Sequence, residues 1–467
     1  MTVAPDLIPA LDASYLELEH PGLPMHIGSV ATFEGAPLRD ERGRIRLADL
    51  RRHIESRLEL LPRFRQIAVP APLRPGRWMW VDAPDFDIAD HVRAASVPSP
   101  GDEAALLRRC ADIHAELLPR DRPLWQLHLM DGLADGRVAI VEKAHHTLVD
   151  GVAGVDVTMV LMDAHPQPLP RSRVGARWAP KPPPSMVDAA RSLATDGLHG
   201  ATRVVSTALR PASLLRDALA TTRFLPVLAQ MTSGAPRTSF NRSVSGRRRL
   251  TAVRRPLAEL KAAGRAHGAT LNDVVLSAVT GGLRALLEAR GEDPDLVLRA
   301  LVPVSLRREE EHGALGNRTG ALFVDLPCCI SDAGARLDWL APRTAAQKAS
   351  GFAAASEKLL ERVNALAPVI DLVADPFLER QSFVNLVVTN VPGPPDTIYV
   401  GGAAMLDAIP IVPLTGNVTV GIAVLSYDGI VTIGIDTDDA AVPDVAVLVD
   451  GIEAAFDELL ATSAVPS

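Results

Sequence analysis

The sequence predicts an α/β fold built as two bodies joined by a connector. A chain of 467 residues exceeds what one ordinary hydrophobic core accommodates, and short apolar strands alternate with segments of helical periodicity in both halves. Between them, HPQPLPRSRVGARWAPKPPP, from His165 to Pro184, carries prolines that exclude a helix and a central strand. We therefore expect an N-terminal domain at residues 1–180, a helical connector at 181–240 and a C-terminal domain at 241–467.

The elements follow in order along the chain. LWQLHLMDGL and RVAIVEKAHH are typical of neighbouring strands around a turn, and VAGVDVTMVLMDA, which follows them, predicts a buried helix. In the second half, LNDVVLSAVTGGLRALLEAR spaces its apolar residues as a helix does. Five further stretches predict strands: LRALVPVSL, ALFVDLP, SFVNLVVTNVPGP, NVTVGIAVLSYDGI and VTIGIDTD. We expect one mixed sheet in each half.

Composition excludes several classes of protein. A hydrophobic fraction of 47% predicts a packed globular protein, and a formal net charge of −8 argues against nucleic-acid binding, which needs a basic face. The three cysteines, Cys110, Cys328 and Cys329, resemble neither a disulfide framework nor a zinc site. The first residues lack the features of a signal peptide, and no window reaches the roughly 20 apolar residues of a membrane span. We expect a cytoplasmic protein that is soluble or peripheral to a membrane.

The stretch EKAHHTLVDG, Glu142 to Gly151, concentrates the chemically capable side chains. His145 and His146 end a predicted strand, so their side chains should point to opposite faces of the sheet. Three interpretations remain open from the residues alone. The histidines could simply be hydrogen-bonded and partly buried, they could ligate a metal for which no further ligand cluster is evident, or one could act as a general base.

The motif HHTLVDG matches the HHxxxDG signature of the CoA-dependent acyltransferase superfamily. It is accompanied in order by LDASYLELEHPGLPMHIGSVATFEG, LPRFRQ, PLW, LNDVVLSAV, VPVSLR with GALGNRTG, and NLVVTNVPGP. Together these stretches resemble the bacterial wax ester synthase/diacylglycerol acyltransferase family over nearly the whole chain. The resemblance implies two chloramphenicol-acetyltransferase-like sandwich domains with an active-site tunnel between them.

The resemblance also implies a reaction. A long-chain fatty acyl group would pass from acyl-CoA, the co-substrate, to diacylglycerol or to a long-chain fatty alcohol, without a metal or any other cofactor. His146 would be the general base, and Asp150 would hold the loop through an arginine, for which Arg307 and Arg318 are candidates. From the residues alone, Asp150 could also be the N-cap of the next helix. His145, a strand neighbour expected to face away, would only support the position of His146.

Further site residues are expected from turn geometry and from the chemistry of acyl transfer. Gly151 would permit the tight turn beside Asp150, and the donors to the reaction's oxyanion would come from Asn272, Thr389 and Asn390. Simpler interpretations stay open: Asn272 could be a helix N-cap, and TNVPG could be a turn that closes a strand. Trp125 of PLW is more typical of core packing. Arg247, Arg248 and Arg249 could meet the CoA phosphates or form a solvated loop.

Two other functions remain open from the sequence. The chain could be a related acyltransferase that takes its acyl group from a carrier protein or polyketide donor, or a non-catalytic lipid-binding relative. The connector from Ser185 to Thr232 suits peripheral contact with an anionic inner membrane or lipid droplet, although a helix that only bridges two domains would look similar. Its arginines lie among leucines and valines at Arg191, Arg203, Arg210, Arg216 and Arg223.

Overall fold

A computed structural model describes residues 5–149, 151–167, 178–195, 229–230, 233–305, 319–356, 358 and 381–463. Within these ranges the strands form one three-stranded sheet, β1-β4-β3, and two six-stranded sheets. Sheet I has the order β12-β13-β2-β7-β6-β5, and sheet II has the order β10-β9-β11-β14-β15-β8. The strands are β1 (Asp6–Leu7), β2 (His26–Phe33), β3 (Gln66–Pro70), β4 (Trp78–Asp82), β5 (Val92–Ser96), β6 (Trp125–Asp131), β7 (Val138–His145), β8 (Arg248–Pro256), β9 (Val297–Ser305), β10 (Thr319–Pro327), β11 (Leu386–Pro392), β12 (Tyr399–Val400), β13 (Ala403–Ile411), β14 (Val420–Tyr427) and β15 (Ile430–Asp438).

The helices lie against these sheets. Among the described residues they include α1 (Ala10–Leu18), α2 (Leu47–Glu55), α3 (Ile88–His91), α4 (Glu103–Ala115), α5 (Gly151–Leu161), α6 (Leu257–Ala266), α7 (Leu271–Ala289), α8 (Ala333–Ala349) and α9 (Val445–Ser463). Helices α7 and α9 pack against each other, and α7 also packs against α8. Residues of α7, α8 and α9 share one apolar core with sheet II.

Both sheets are mixed, as predicted. In sheet I, β5 and β6 are parallel. The other pairs are antiparallel: β6 with β7, β7 with β2, β2 with β13 and β13 with β12. In sheet II, β11 is parallel to both β9 and β14, and the other pairs are antiparallel. The predicted hairpin is confirmed as β6 and β7, and the predicted helix and five strands of the second half are confirmed as α7, β9, β10, β11, β14 and β15.

The helix predicted after the histidine motif is confirmed as α5, but it is only partly buried. Val157 and Leu161 lie in the core, whereas Met159 is 42% exposed. A uniformly apolar sequence does not reveal which face a neighbouring element covers, because its periodicity carries no contrast.

Sheet I contains two strands from late in the chain. β13 pairs with β2 in antiparallel register, with Ile409 opposite Val30, and β12 pairs with β13. Residues 399–411 fall within the range expected for the C-terminal domain, yet they complete the sheet that carries the histidine motif. Strands from the second half of the chain thus belong to the sheet of the first half. The predicted domain boundaries stay a prediction.

Candidate active site

The two histidines of HHTLVDG occupy different environments. β7 ends at His145, whose side chain is completely buried, whereas His146 is partly exposed. His145 lies against Glu19, whereas His146, in the turn after the strand, stacks on Tyr15. The structure thus separates a buried imidazole from an accessible one.

The contacts of His145 define its tautomer. The backbone N–H of Thr147 donates to Nδ1 at 3.1 Å, so Nδ1 carries a lone pair and a neutral ring holds its proton on Nε2. Nε2 lies 3.4 Å from Oε1 of Glu19. His145 is therefore fixed between the turn that follows β7 and a buried carboxylate.

Several polar groups surround the carboxylate of Glu19. Its Oε1 accepts a hydrogen bond from the backbone N–H of Met25 at 3.2 Å and lies 3.1 Å from Nε2 of His26, while Oε2 is 3.4 Å from Nη2 of Arg120. Burial alone would raise the pKa of Glu19, but its contacts with His145 and His26 outweigh burial and hold that pKa well below its usual range. Glu19 is therefore ionised at neutral pH.

Basic groups behind Glu19 cap the C-terminus of α4. Nζ of Lys143 donates to the carbonyl of Ile113 at 2.7 Å and to that of Glu116, and Nδ1 of His26 lies 3.1 Å from the carbonyl of His114. Burial lowers the pKa of Lys143 to about 8 and that of His26 to about 4. At neutral pH Lys143 therefore supplies the positive charge, which suits the negative end of a helix dipole.

His146 is held through its backbone and through the face of its ring. Its N–H donates to the carbonyl of Met25 at 2.8 Å, and its imidazole stacks on Tyr15 with ring centroids 4.2 Å apart and planes 19° apart. Next to it, Oγ1 of Thr147 donates to the carbonyl of Asp12 at 2.7 Å, which fixes α1 against the turn. The accessible imidazole is thus positioned by the segment that includes α1 and the loop after it.

Sequence reasoning did not identify Tyr15, Glu19 and His26 as site residues. All three lie in LDASYLELEHPGLPMHIGSV, which served only to establish the resemblance. An acid and a histidine on either side of Pro and Gly in an apolar stretch were a usable signal. Their target was not visible, because the contact depends on the pairing of β2 with β7, which places His26 opposite His145.

The remainder of the motif is only partly described. Gly151 begins α5. Asp150 lies outside the described residues, as do Arg307 and Arg318, so the predicted link between Asp150 and an arginine stays a prediction.

Asn272 lies in the first turn of α7, but it is not the cap of that helix. Thr270 is the N-cap: its side chain accepts from the backbone N–H of Asp273, whose carboxylate accepts from the backbone N–H of Thr270 in return. The N-cap interpretation of Asn272 is therefore wrong.

Thr389 and Asn390 lie within β11, which ends at Pro392. Helix α5 packs against β11. The strand that carries these two residues is thus adjacent to the helix that follows the histidine motif, although the two elements belong to different halves of the chain.

The remaining predictions concern packing and basic residues. Trp125 is buried, and its Nε1 donates to the carbonyl of Phe64 at 2.8 Å, so its expected role in the core is confirmed. Arg248 and Arg249 begin β8 rather than a solvated loop, and each is in an ion pair. The side chain of Arg248 is nearly buried and already paired with Asp436, which argues against a contact with a CoA phosphate.

Known proteins resemble this chain over nearly its whole length. The model of the wax ester synthase/diacylglycerol acyltransferase catalytic domain matches residues 8–275, and that of the WS/DGAT C-terminal domain matches residues 315–460. A probable diacylglycerol O-acyltransferase of Mycobacterium tuberculosis, tgs2, is 31% identical over 468 residues, which cover 97% of this chain and 98% of the relative.

Two solved structures share the fold. The wax ester synthase/diacylglycerol acyltransferase from Marinobacter aquaeolei VT8 has a TM-score of 0.68 at 23% identity, covering 98% of this chain and 100% of its own. The starter condensation domain of rhizomide synthetase, in complex with C8-CoA, has a TM-score of 0.60 at 13% identity, covering 98% and 95%. From the family models and the relative at 31% identity, the chain belongs to the wax ester synthase/diacylglycerol acyltransferase family and is an O-acyltransferase.

Proposed function

We propose that this chain transfers a long-chain acyl group from CoA to an alcohol acceptor, with His146 as the general base. The observation that carries the proposal is the accessible imidazole of His146, held by Tyr15 and Met25 in a chain of this family. Family membership supports acyl-CoA as the donor, as does the solved structural neighbour in complex with C8-CoA.

The imidazole would remove the proton of the acceptor hydroxyl as the oxygen attacks the thioester carbonyl. The tetrahedral intermediate collapses when its C–S bond breaks, and the imidazolium returns the proton to the CoA thiolate. One C–O bond forms and one C–S bond breaks, so the reaction needs no covalent enzyme intermediate, no metal and no cofactor other than acyl-CoA as the co-substrate. His145 and Glu19 support the turn from the opposite face of β7 and exchange no proton with the substrate.

The oxyanion of the intermediate needs hydrogen-bond donors. We assign this role to a group drawn from Asn272, Thr389 and Asn390, since α5 packs against the strand that bears the last two. Because Thr270 caps α7, Asn272→Ala should leave thermal stability unchanged while it lowers kcat roughly a hundredfold to a thousandfold, if Asn272 is a donor. An unchanged kcat in Asn272→Ala would remove that residue from the site.

Release of CoA from palmitoyl-CoA tests the reaction. The full-length protein should release CoA when dioleoylglycerol or hexadecanol is supplied, and the His146→Ala variant should not do so at a comparable rate. A protein that binds palmitoyl-CoA but releases no CoA with either acceptor would instead be a non-catalytic lipid-binding relative. Release that requires an acylated carrier protein would identify the other donor class.

We propose diacylglycerol as the preferred acceptor, because the relative tgs2 is named as a probable diacylglycerol O-acyltransferase. Competing hexadecanol and dioleoylglycerol in one reaction, followed by thin-layer analysis of the products, would rank the two acceptors. An excess of triacylglycerol over wax ester is the expected result, and the opposite excess would identify a wax ester synthase.

We further propose peripheral contact with an anionic membrane or lipid droplet through the connector. Among the described residues we find no helix whose length and hydropathy would suit a membrane span. Arg191 is described, whereas Arg203, Arg210, Arg216 and Arg223 lie outside the described residues. Replacing the five arginines by glutamine should reduce flotation with anionic liposomes, and equal flotation of the variant would exclude the connector as the anchor.

A further inference from the structure

One face of β8 joins the second half of the molecule to the first. Leu250 and Ala252 pack in an apolar cluster with residues of α4. Residues two apart in a strand point to the same face, so Arg248 and Arg254 flank these apolar residues on that face. The two arginines are the charged ends of one interface.

Arg248 is buried between the two halves. Its Nη1 forms an ion pair with Oδ2 of Asp436 at 2.8 Å, with side-chain exposures of 5% and 1%, and its Nη2 donates to the carbonyl of Pro24 at 3.2 Å. Asp436 belongs to β15 of the second half, whereas Pro24 precedes β2 of the first. The guanidinium therefore joins an anchor in one half to a backbone group in the other.

The loops around this contact touch each other. A Cβ atom built on Gly246 would lie 2.6 Å from the Cα of Gly22, and Gly246 has a φ of +81°. Only glycine adopts this positive φ readily and also leaves room for the backbone of Gly22. The turn before β8 is thus fitted against the loop that leads to the histidine site.

The carbonyl that Arg248 binds is part of the histidine site. The carbonyl of Pro24 and the N–H of Met25 belong to one planar peptide unit. Arg248 donates to the carbonyl oxygen of this peptide unit, and the N–H of the same unit, that of Met25, donates to Glu19 at 3.2 Å. The next carbonyl, that of Met25, accepts the backbone N–H of His146 at 2.8 Å.

We propose that Arg248, anchored by Asp436, is a positioning residue for acyl transfer. It holds the Pro24–Met25 peptide from the second half, so that docking of the two halves sets both the backbone of His146 and the carboxylate behind His145. This inference rests on the proposed role of His146. Catalytic competence is thereby coupled to the contact between the halves, at a residue that touches no reacting atom.

Two substitutions at this position separate positioning from stability. Arg248→Lys can keep an ion pair with Asp436, but a single ammonium does not reproduce the fork that also reaches Pro24. It should retain a near-native Tm while kcat falls roughly tenfold to a hundredfold, and KM for palmitoyl-CoA should change less than about threefold. Arg248→Met should show the same loss of kcat together with a lower Tm, because Asp436 then stays buried without its cation.

Arg254 provides the matched control. It lies on the same face and strand, where Nη2 forms ion pairs with Glu103 at 2.9 Å and with Asp407 at 2.7 Å, roughly 20 Å along β8 from Arg248. Arg254→Met should weaken the interface and lower Tm but leave kcat close to that of the wild type. An equal loss of kcat in Arg254→Met, or a wild-type kcat in Arg248→Lys, would overturn the proposal.

Hydrogen exchange gives a second readout that needs no turnover. The amides of Met25 and His146 should exchange faster in Arg248→Lys than in the wild type, whereas Arg254→Met should leave them unchanged. An inactive wild-type enzyme would refute the proposed function, and these amides would still test the contact. Unchanged exchange in Arg248→Lys would refute the positioning role, whatever the activity.

Discussion

The two histidines of the motif differ in exposure, so substituting one should affect activity and stability differently from substituting the other. His146 is accessible and is held by contacts to its ring face and backbone. His145 is fully buried and contacts Glu19 and the turn of Thr147. The first arrangement suits proton transfer, and the second suits support.

Removal of the His146 imidazole should abolish most turnover without unfolding the protein. We predict that His146→Ala lowers kcat roughly a hundredfold to ten-thousandfold, because a positioned general base contributes that much. Binding of palmitoyl-CoA and Tm should stay near wild-type values, as checked by calorimetry and steady-state kinetics.

His145→Ala is the control for this prediction. It removes a buried contact of the Glu19 carboxylate, so it should lower Tm, and its loss of kcat should be smaller than that of His146→Ala. Full activity in His146→Ala with loss only in His145→Ala would make the first histidine the base.

Tyr15 should affect the rate through the orientation of His146. Aromatic contacts of this kind contribute about 0.5 to 1.5 kcal/mol, so Tyr15→Ala should lower kcat roughly twofold to tenfold. Tyr15→Phe keeps the ring that stacks on the imidazole and should retain most of the activity. Equal loss in both variants, measured by CoA release, would assign the effect to the hydroxyl instead of the stack.

At the scale of elements, β7 carries ionisable groups on both faces. Lys143 and His145 point towards α4 and Glu19, and Glu142 points to the opposite face, where its Oε2 lies 3.4 Å from Oγ1 of Thr158 in α5. Burial raises the pKa of Glu142 to about 7. A strand that packs on both faces therefore holds a carboxyl group that titrates near neutral pH.

Glu142 should make the stability of the protein depend on pH. Its pKa is raised in the folded state, so the folded protein binds this proton more tightly and the free energy of unfolding decreases as pH rises from about 4.5 to about 7. The Glu142→Gln substitution removes this titrating carboxyl group. The variant should be more stable than the wild type at pH 8 by about 1 to 3 kcal/mol and differ little at pH 4.

Thermal denaturation at the two pH values checks this expectation. Glu41→Gln, at an exposed position, is the control and should change Tm little at either pH. A Glu142→Gln variant that is less stable than the wild type at pH 8 would mean that the ionised carboxylate has a stabilising partner.

At the scale of the whole molecule, the two halves are interlocked because strands from the second half complete a sheet of the first. β12 and β13 complete sheet I although they follow most of sheet II in the sequence. β8 of sheet II packs against α4, and Arg248 reaches the loop before β2. The histidine site is therefore assembled from the first half but held partly by the second.

This interlocking predicts that the first half does not fold alone. A fragment of residues 1–195 lacks β13, which would leave β2 as an exposed edge strand that is prone to aggregation. We expect the fragment to be insoluble or to aggregate in size-exclusion chromatography, and co-expression with residues 229–467 should restore a soluble complex. A soluble, monomeric fragment with a cooperative unfolding transition would contradict the prediction.

The local pattern of the sequence determined the α/β class, the hairpin of β6 and β7, helix α7 and the principal strands of the second half. Hydrophobic periodicity encodes these elements because it depends only on residues close in sequence. The motif HHTLVDG likewise indicated where the chemistry should lie, and the order of the accompanying stretches indicated the family. The opposite directions expected for His145 and His146 stay a prediction, because β7 ends at His145 and His146 lies in the turn that follows.

Only the tertiary structure decided what covers each element. Periodicity indicates that a face is buried but not which distant segment buries it. The contact of Glu19 with His145 and the pairing of residues 399–411 with sheet I were therefore not predictable. The same reason explains Arg248, which in the sequence is one of three adjacent arginines and in the fold is buried against Asp436 and Pro24. Long-range pairing brings these groups together, because the free energy of burying a charge or a strand edge depends on its partners in space rather than on its neighbours in sequence.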